Sequence, residues 1–194
     1  PNIRLTFQAA GATVTQSGGT ISGSADGTGT IYQNGGSFEF TGGSTSGTVR
    51  LNGVQVHVAD SVTSESTIRV IGDDNTFLGN YSTAVTVWLE GQATTYSRLY
   101  VDQVVENRGV IRMESTSNNV SYNESSYLTT RDAGRLINAS TGRIESYVGQ
   151  GDGRYINGTL VNRGSIDALY SLVYDTGTLE ADGGTYSDLF FLDG

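Results

Sequence analysis

Short runs in which apolar and polar side chains alternate recur along the whole chain, most of them opened by a glycine. They read Gly29-Thr30-Ile31-Tyr32-Gln33, Gly36-Ser37-Phe38-Glu39-Phe40 and Gly47-Thr48-Val49-Arg50-Leu51, with Ser66-Thr67-Ile68-Arg69-Val70 as a variant lacking the glycine. The second half adds Gly109-Val110-Ile111-Arg112-Met113, Gly142-Arg143-Ile144-Glu145-Ser146, Gly164-Ser165-Ile166-Asp167-Ala168 and Gly177-Thr178-Leu179-Glu180-Ala181. Successive side chains of a strand point to opposite faces. Ile21, Ile31, Phe38, Val49, Ile68, Ile144, Ile166 and Leu179 are therefore expected inside, and Tyr32, Glu39, Arg50, Arg69, Glu145, Asp167 and Glu180 outside. The leading glycine fits a tight corner, often one with positive φ.

A second element precedes three of these runs. Val104-Val105-Glu106-Asn107, Leu136-Ile137-Asn138 and Leu160-Val161-Asn162 each place a hydrophobic pair shortly before asparagine. Asparagine suits the turn between two strands, and in a stack of equivalent coils such asparagines can form a ladder, each amide bonding to the next. No helical period is sustained anywhere, and the segment from Arg98 to Val105 reads as strand. The expected fold class is all-β. Recurrence of the same chemistry at each strand entry favours a parallel β-helix (β-solenoid), in which coils place equivalent residues in equivalent positions, over the alternative, an antiparallel β-sandwich. At ~20–25 residues per coil the chain makes about eight coils, and a strand spacing near 4.8 Å gives a rod ~40 Å long. Residues 1–194 read as one module whose repeat type changes near residue 90. The segment Pro1-Asn2-Ile3-Arg4-Leu5-Thr6-Phe7 already reads as strand, so a mature product or a piece of a longer secreted protein is expected.

Charge narrows the partners. The net charge is −9, and the eleven basic residues, all arginine, are scattered singly from Arg4 to Arg163. A nucleic-acid surface needs a dense basic face, and an anionic membrane would repel this chain; neither partner is expected. Cysteine is absent, which removes disulfides and thiolate metal sites. No apolar run approaches the ~18 residues of a membrane span.

The units Val105-Glu106-Asn107-Arg108-Gly109-Val110-Ile111, Leu160-Val161-Asn162-Arg163-Gly164-Ser165-Ile166 and Gly47-Thr48-Val49-Arg50-Leu51 resemble strand repeats of autotransporter passengers and of filamentous-haemagglutinin-like adhesins. The resemblance implies a right-handed parallel β-helix at or outside a bacterial cell surface, serving as stalk, adhesin or filament. It carries no shared catalytic residues. Its partners would be neighbouring modules or copies of itself, and glycans. The coil length here is not constant, which departs from that pattern.

Catalytic chemistry is poorly supplied. Gly72-Asp73-Asp74-Asn75 superficially resembles the Gly-Asp-Asp motif of polygalacturonases, but the companion Gly-His-Gly and Arg-Ile-Lys motifs are missing. The single histidine, His57, alternates opposite Val56 and Val58 and is expected on the outer face. Asp73-Asp74-Asn75 reads most simply as a turn. A non-enzymatic structural or adhesive role is expected, with a polysaccharide-binding or polysaccharide-cleaving β-helix as the alternative. No cofactor is expected. Calcium is the most plausible ion, with Asp73, Asp74, Asp152 and Asp182 as weak candidate ligands, because calcium needs six to eight oxygens and no single loop supplies them. For ligand contact the candidates are Tyr96, Tyr100, Tyr122, Tyr127, Tyr147 and Tyr155, since tyrosine joins an apolar ring to a polar tip.

Overall fold

The computed structural model describes residues 5–7, 11–21, 30–92, 95–116, 124–149, 153–188 and 190–191, and among these there is no helix. Nineteen strands join in one hydrogen-bonded network, and every pairing between them is parallel. Antiparallel contact among the described residues is confined to an isolated bridge between Gln92 and Thr95. The antiparallel sandwich is thus not the arrangement that forms.

Each strand pairs with an equivalent one roughly a coil later. One line of paired residues runs Ile31, Val49, Ile68, Val87, Ile111, Ile144, Ile166, Tyr186, so successive returns take 18, 19, 19, 24, 33, 22 and 20 residues. The members from Ile31 to Ile166 are buried, and the line ends on half-exposed Tyr186. A second line joins Leu99, Leu128, Ile156 and Tyr174, and a third joins Val105, Leu136, Leu160 and Leu179. These lines meet in one continuous core. Ile21 and Leu179, expected inside, are only partly buried against it. Unequal coils are accommodated with the aliphatic lines kept in step, although register shifts occur within four of the pairings. Ile111 and Leu128 are 17 residues apart, where the equivalent pairs Val87–Leu99 and Ile144–Ile156 are 12 apart, so about half of the longest coil's extra length falls between Ile111 and Leu128. The strand Val85–Gly91 pairs with Ser66–Val70 on one side and Val110–Ser115 on the other, so the network runs unbroken through residue 90.

The asparagine ladder forms. Asn107 Nδ2 donates to Asn138 Oδ1 at 2.7 Å, and Asn138 Nδ2 donates to Asn162 Oδ1 at 2.8 Å. All three side chains are completely buried. Each amide also donates to the carbonyl of a strand-entry residue in the next coil: Asn107 to Arg143, Asn138 to Ser165, Asn162 to Thr185. The asparagine is therefore not a turn former with its side chain free. It is an interior bracket that ties one coil to the next, and each buried bond is strong because the alternative is an unsatisfied amide.

Three of the corner glycines need a different explanation from the one expected. Gly109, Gly142 and Gly164 do not have positive φ. A Cβ on Gly142 would collide with the Asn107 carbonyl, and one on Gly164 with the carbonyls of Gly142 and Ala139. Close stacking of backbone on backbone, not left-handed geometry, excludes a side chain there. Positive φ is found at two other strand-opening glycines, Gly36 (79°) and Gly177 (119°), as expected, and at Gly72 (70°). The stretch Gly72-Asp73-Asp74-Asn75 is not a turn between strands. It lies inside the strand Gly72–Leu78 as an irregularity, with Asp74 at φ 59° and a register shift against Ser97–Val101.

Candidate functional site

Alternation along Ser97–Val101 and Ser126–Thr130 turns Arg98, Tyr100 and Tyr127 outward, away from buried Leu99 and Leu128. Register then sets Arg98 opposite Tyr127 and Tyr127 opposite Tyr155 on three successive coils. The Tyr127 and Tyr155 rings stack, with centroids 5.0 Å apart and 15° between planes. Tyr96 meets Tyr127 edge-on at 6.0 Å. The Arg98 guanidinium lies 4.6 Å from the Tyr127 centroid and 4.9 Å from that of Tyr96, within cation–π range.

Asp73 anchors this cluster from the preceding coil. Tyr96 Oη donates to Asp73 Oδ2 at 2.8 Å, Tyr100 Oη donates to Asp73 Oδ1 at 3.3 Å, and Arg98 Nη1 lies 3.6 Å from Asp73 Oδ1. The hydrogen bond to the Asp73 carboxylate, with burial and that negative charge adding to it, raises the Tyr96 phenol above its ordinary value. Arg131, held by two 2.7 Å bonds to Asp102, covers the Tyr100 ring at 3.6 Å. Four of the six tyrosines singled out from sequence thus form one surface: Tyr96, Tyr100, Tyr127 and Tyr155.

The other two do not join it. Tyr147 follows the strand Arg143–Ser146, and its ring covers the Arg112 guanidinium at 4.0 Å. Arg112 in turn lies 4.4 Å from the Trp88 ring, whose other neighbour is Arg69 at 3.9 Å. The negative charge of Glu145, then burial, raises the Tyr147 phenol. Glu145, expected outside, is buried because it pairs with Arg143 at this crowded surface. Tyr122 lies outside the described residues. Trp88 and its arginines were not singled out from sequence. Their signal was there, since Trp88 alternates with buried Val87 and Leu89, but without the coil lengths nothing showed which arginines flank it.

Among the described residues, the calcium candidates Asp73, Asp74 and Asp182 are not brought together. Asp73 is engaged by the two tyrosines and Arg98, while Asp182 accepts from Arg163 Nε at 2.8 Å. Asp152 lies outside the described residues. Among the described residues no group of three or more His, Cys, Asp or Glu is placed to hold a metal ion, Asp74 included. His57 stands on the outer face, its Nδ1 2.6 Å from Glu39 Oε2. Chemically, the tyrosine surface offers flat π faces bordered by fixed guanidinium and carboxylate groups, a set suited to contact rather than to proton transfer. No protein-family model matches the chain, and no curated protein or solved structure matches it.

Proposed function

We propose that this chain is a right-handed parallel β-helix (β-solenoid) serving as a non-catalytic, extracellular structural and adhesive module of a bacterial surface protein. The observation that carries the reading is the coil-to-coil bracket Asn107–Asn138–Asn162 running beside a continuous aliphatic interior. Such a stack resists unfolding along its axis, since each coil is held to the next by backbone bonds, side-chain bonds and core contact together. Right-handedness follows the general preference of parallel crossovers. The resemblance to autotransporter passengers and filamentous-haemagglutinin-like adhesins supports the same placement. In this reading the module spans residues 1–194, and its terminal strands offer edges to neighbouring modules or to copies of itself.

Electron microscopy and size-exclusion chromatography at high concentration test the assembly version. End-to-end particles are expected, and a strictly monomeric protein would remove filament formation from the proposal. Calcium enters as a lesser element, tested by melting with and without chelator; an unchanged midpoint removes it.

A second reading, polysaccharide binding, is favoured by the tyrosine surface, where the Tyr127–Tyr155 stack and Arg98 present ring faces beside charged hydrogen-bonding groups. A glycan array tests it: selective binding lost in Tyr127→Ala supports the reading, and no binding to any glycan ends it. Release of reducing ends from a bound glycan would move the protein to the enzymes.

A further inference from the structure

Eight of the ten arginines among the described residues are matched by acid. Arg69, Arg98, Arg108, Arg112, Arg131, Arg135, Arg143 and Arg163 each lie within 4 Å of a carboxylate. The buried Arg154 is set over the Tyr170 ring. Arg50 has no carboxylate within that reach among the described residues, and its Nε is buried without a hydrogen-bond partner. It also stands directly opposite Arg69 on the neighbouring strand, both on the outer face. Like charges directly opposite one another weaken a sheet. Burial, and then the positive charges of Arg50 and Arg112, lower the Arg69 pKa against the pull of Glu90. A chain of net charge −9 has thus kept two guanidinium groups side by side with one carboxylate, Glu90 against Arg69, between them.

A groove of about 610 Å³, lined by Thr45, Thr63, Glu65, Thr67, Thr83 and Thr86, borders the strands that carry these two arginines, although neither arginine lines it. Thr67 precedes Arg69 by two residues, so both project from the same face of one strand. Hydroxyls and a carboxylate next to paired guanidinium groups suit a polyhydroxylated chain with an acidic substituent, because guanidinium binds carboxylate or sulfate through directed bonds.

We propose that Arg50 and Arg69 bind the carboxylate of an acidic polysaccharide whose neighbouring sugars lie in the threonine groove. This deepens the polysaccharide-binding reading and rests on it, but places the contact on a different face from the tyrosines. Glu65 in the groove and the overall negative charge select against a densely charged polymer. The ligand is one in which acidic and neutral sugars alternate.

The test uses hyaluronan oligosaccharides, their carboxyl-reduced counterparts and sodium acetate with the full chain, measured by calorimetry at low and high salt. Wild type is expected to bind the oligosaccharide, more weakly as salt rises, and to lose at least tenfold in affinity with the reduced form. Arg50→Gln and Arg69→Gln are each expected to weaken binding at least tenfold. Arg50→Gln should melt no lower than wild type, because a like-charge contact is removed. Unchanged affinity in Arg50→Gln overturns the proposal, as does competition by acetate that matches the glycan carboxylate for carboxylate. Binding lost in Tyr127→Ala but retained in Arg50→Gln overturns it while leaving the broader reading intact; absence of binding to every glycan removes both.

Discussion

The coils before residue 91 and those after it solve the same packing problem with different chemistry. The earlier coils fill their interior with rings: Phe38 and Phe40 have centroids 6.4 Å apart, and Phe77 and Tyr81 meet at 4.8 Å. Their buried polar groups bridge coils one at a time rather than as a continuous ladder: Gln33 Nε2 donates to the Gly35 and Ser37 carbonyls and to that of Ala12 a coil away, and Asn75 Nδ2 donates to the Arg98 carbonyl. The later coils have slimmer interiors of Val, Leu and Ile, and carry the asparagine ladder, which acts between coils. Ring packing fills the early interior with bulk, and its polar bonds join coils pairwise. The ladder links three later coils through one continuous chain of side-chain bonds, so damage there should spread.

The largest effect is expected from Phe38→Ala, which empties a fully buried ring position and should cost about 4 kcal/mol, in line with buried aromatic truncations. Urea unfolding should keep a single transition with a lower midpoint. Asn138→Ala should cost about 3 kcal/mol, because it removes the middle bracket and leaves buried partners on both sides unmatched. Hydrogen exchange distinguishes the two regions: Asn138→Ala should expose amides of the strands Val104–Asn107, Arg143–Ser146 and Ser165–Ala168 together, and loss confined to Arg135–Asn138 would break the contrast. Gly164→Ala should cost about 2 kcal/mol, the scale of overpacking against backbone that cannot yield.

The smallest effect has the opposite sign. Tyr81 is completely buried and its hydroxyl has no hydrogen-bond partner among the described residues. Tyr81→Phe should therefore raise stability by about 1 kcal/mol. Burial raises the Tyr81 phenol well above its ordinary value and pushes Tyr174 up to about 12. A phenol whose folded pKa is raised favours the folded state fully below the unfolded value near 10, and that contribution is lost as pH rises through the folded value. Stability should fall between pH 10 and 12, and Tyr81→Phe should lessen the fall; an equal fall in both proteins would contradict this.

Parts of this structure were legible in the sequence for a definite reason. Alternation and the thrice-repeated aliphatic–asparagine unit report local geometry, so Ile111, Ile144 and Ile166 could be assigned to the interior and the ladder anticipated. Stacking partners could not be read, because coils of 18 to 33 residues give no fixed offset from which to align Arg69, Trp88 and Arg112. Asp73 illustrates the same limit. Its neighbours in sequence suggested a turn and an ion, but the groups that hold it, Tyr96 and Tyr100, arrive from the next coil. The strand-entry glycines were found by pattern, while their cause, the carbonyl of the coil beneath, is a tertiary contact.

The register between coils is most directly tested by cysteine pairing, since the chain has no cysteine of its own. Thr67 and Thr86 are opposite one another on adjacent strands and face outward, whereas Val87, one residue on, points into the core. Thr67→Cys with Thr86→Cys should oxidise rapidly to an intramolecular disulfide without loss of fold, and Thr67→Cys with Val87→Cys should not. Bridging by the shifted pair, or by neither, would contradict the stacked parallel arrangement on which the account depends.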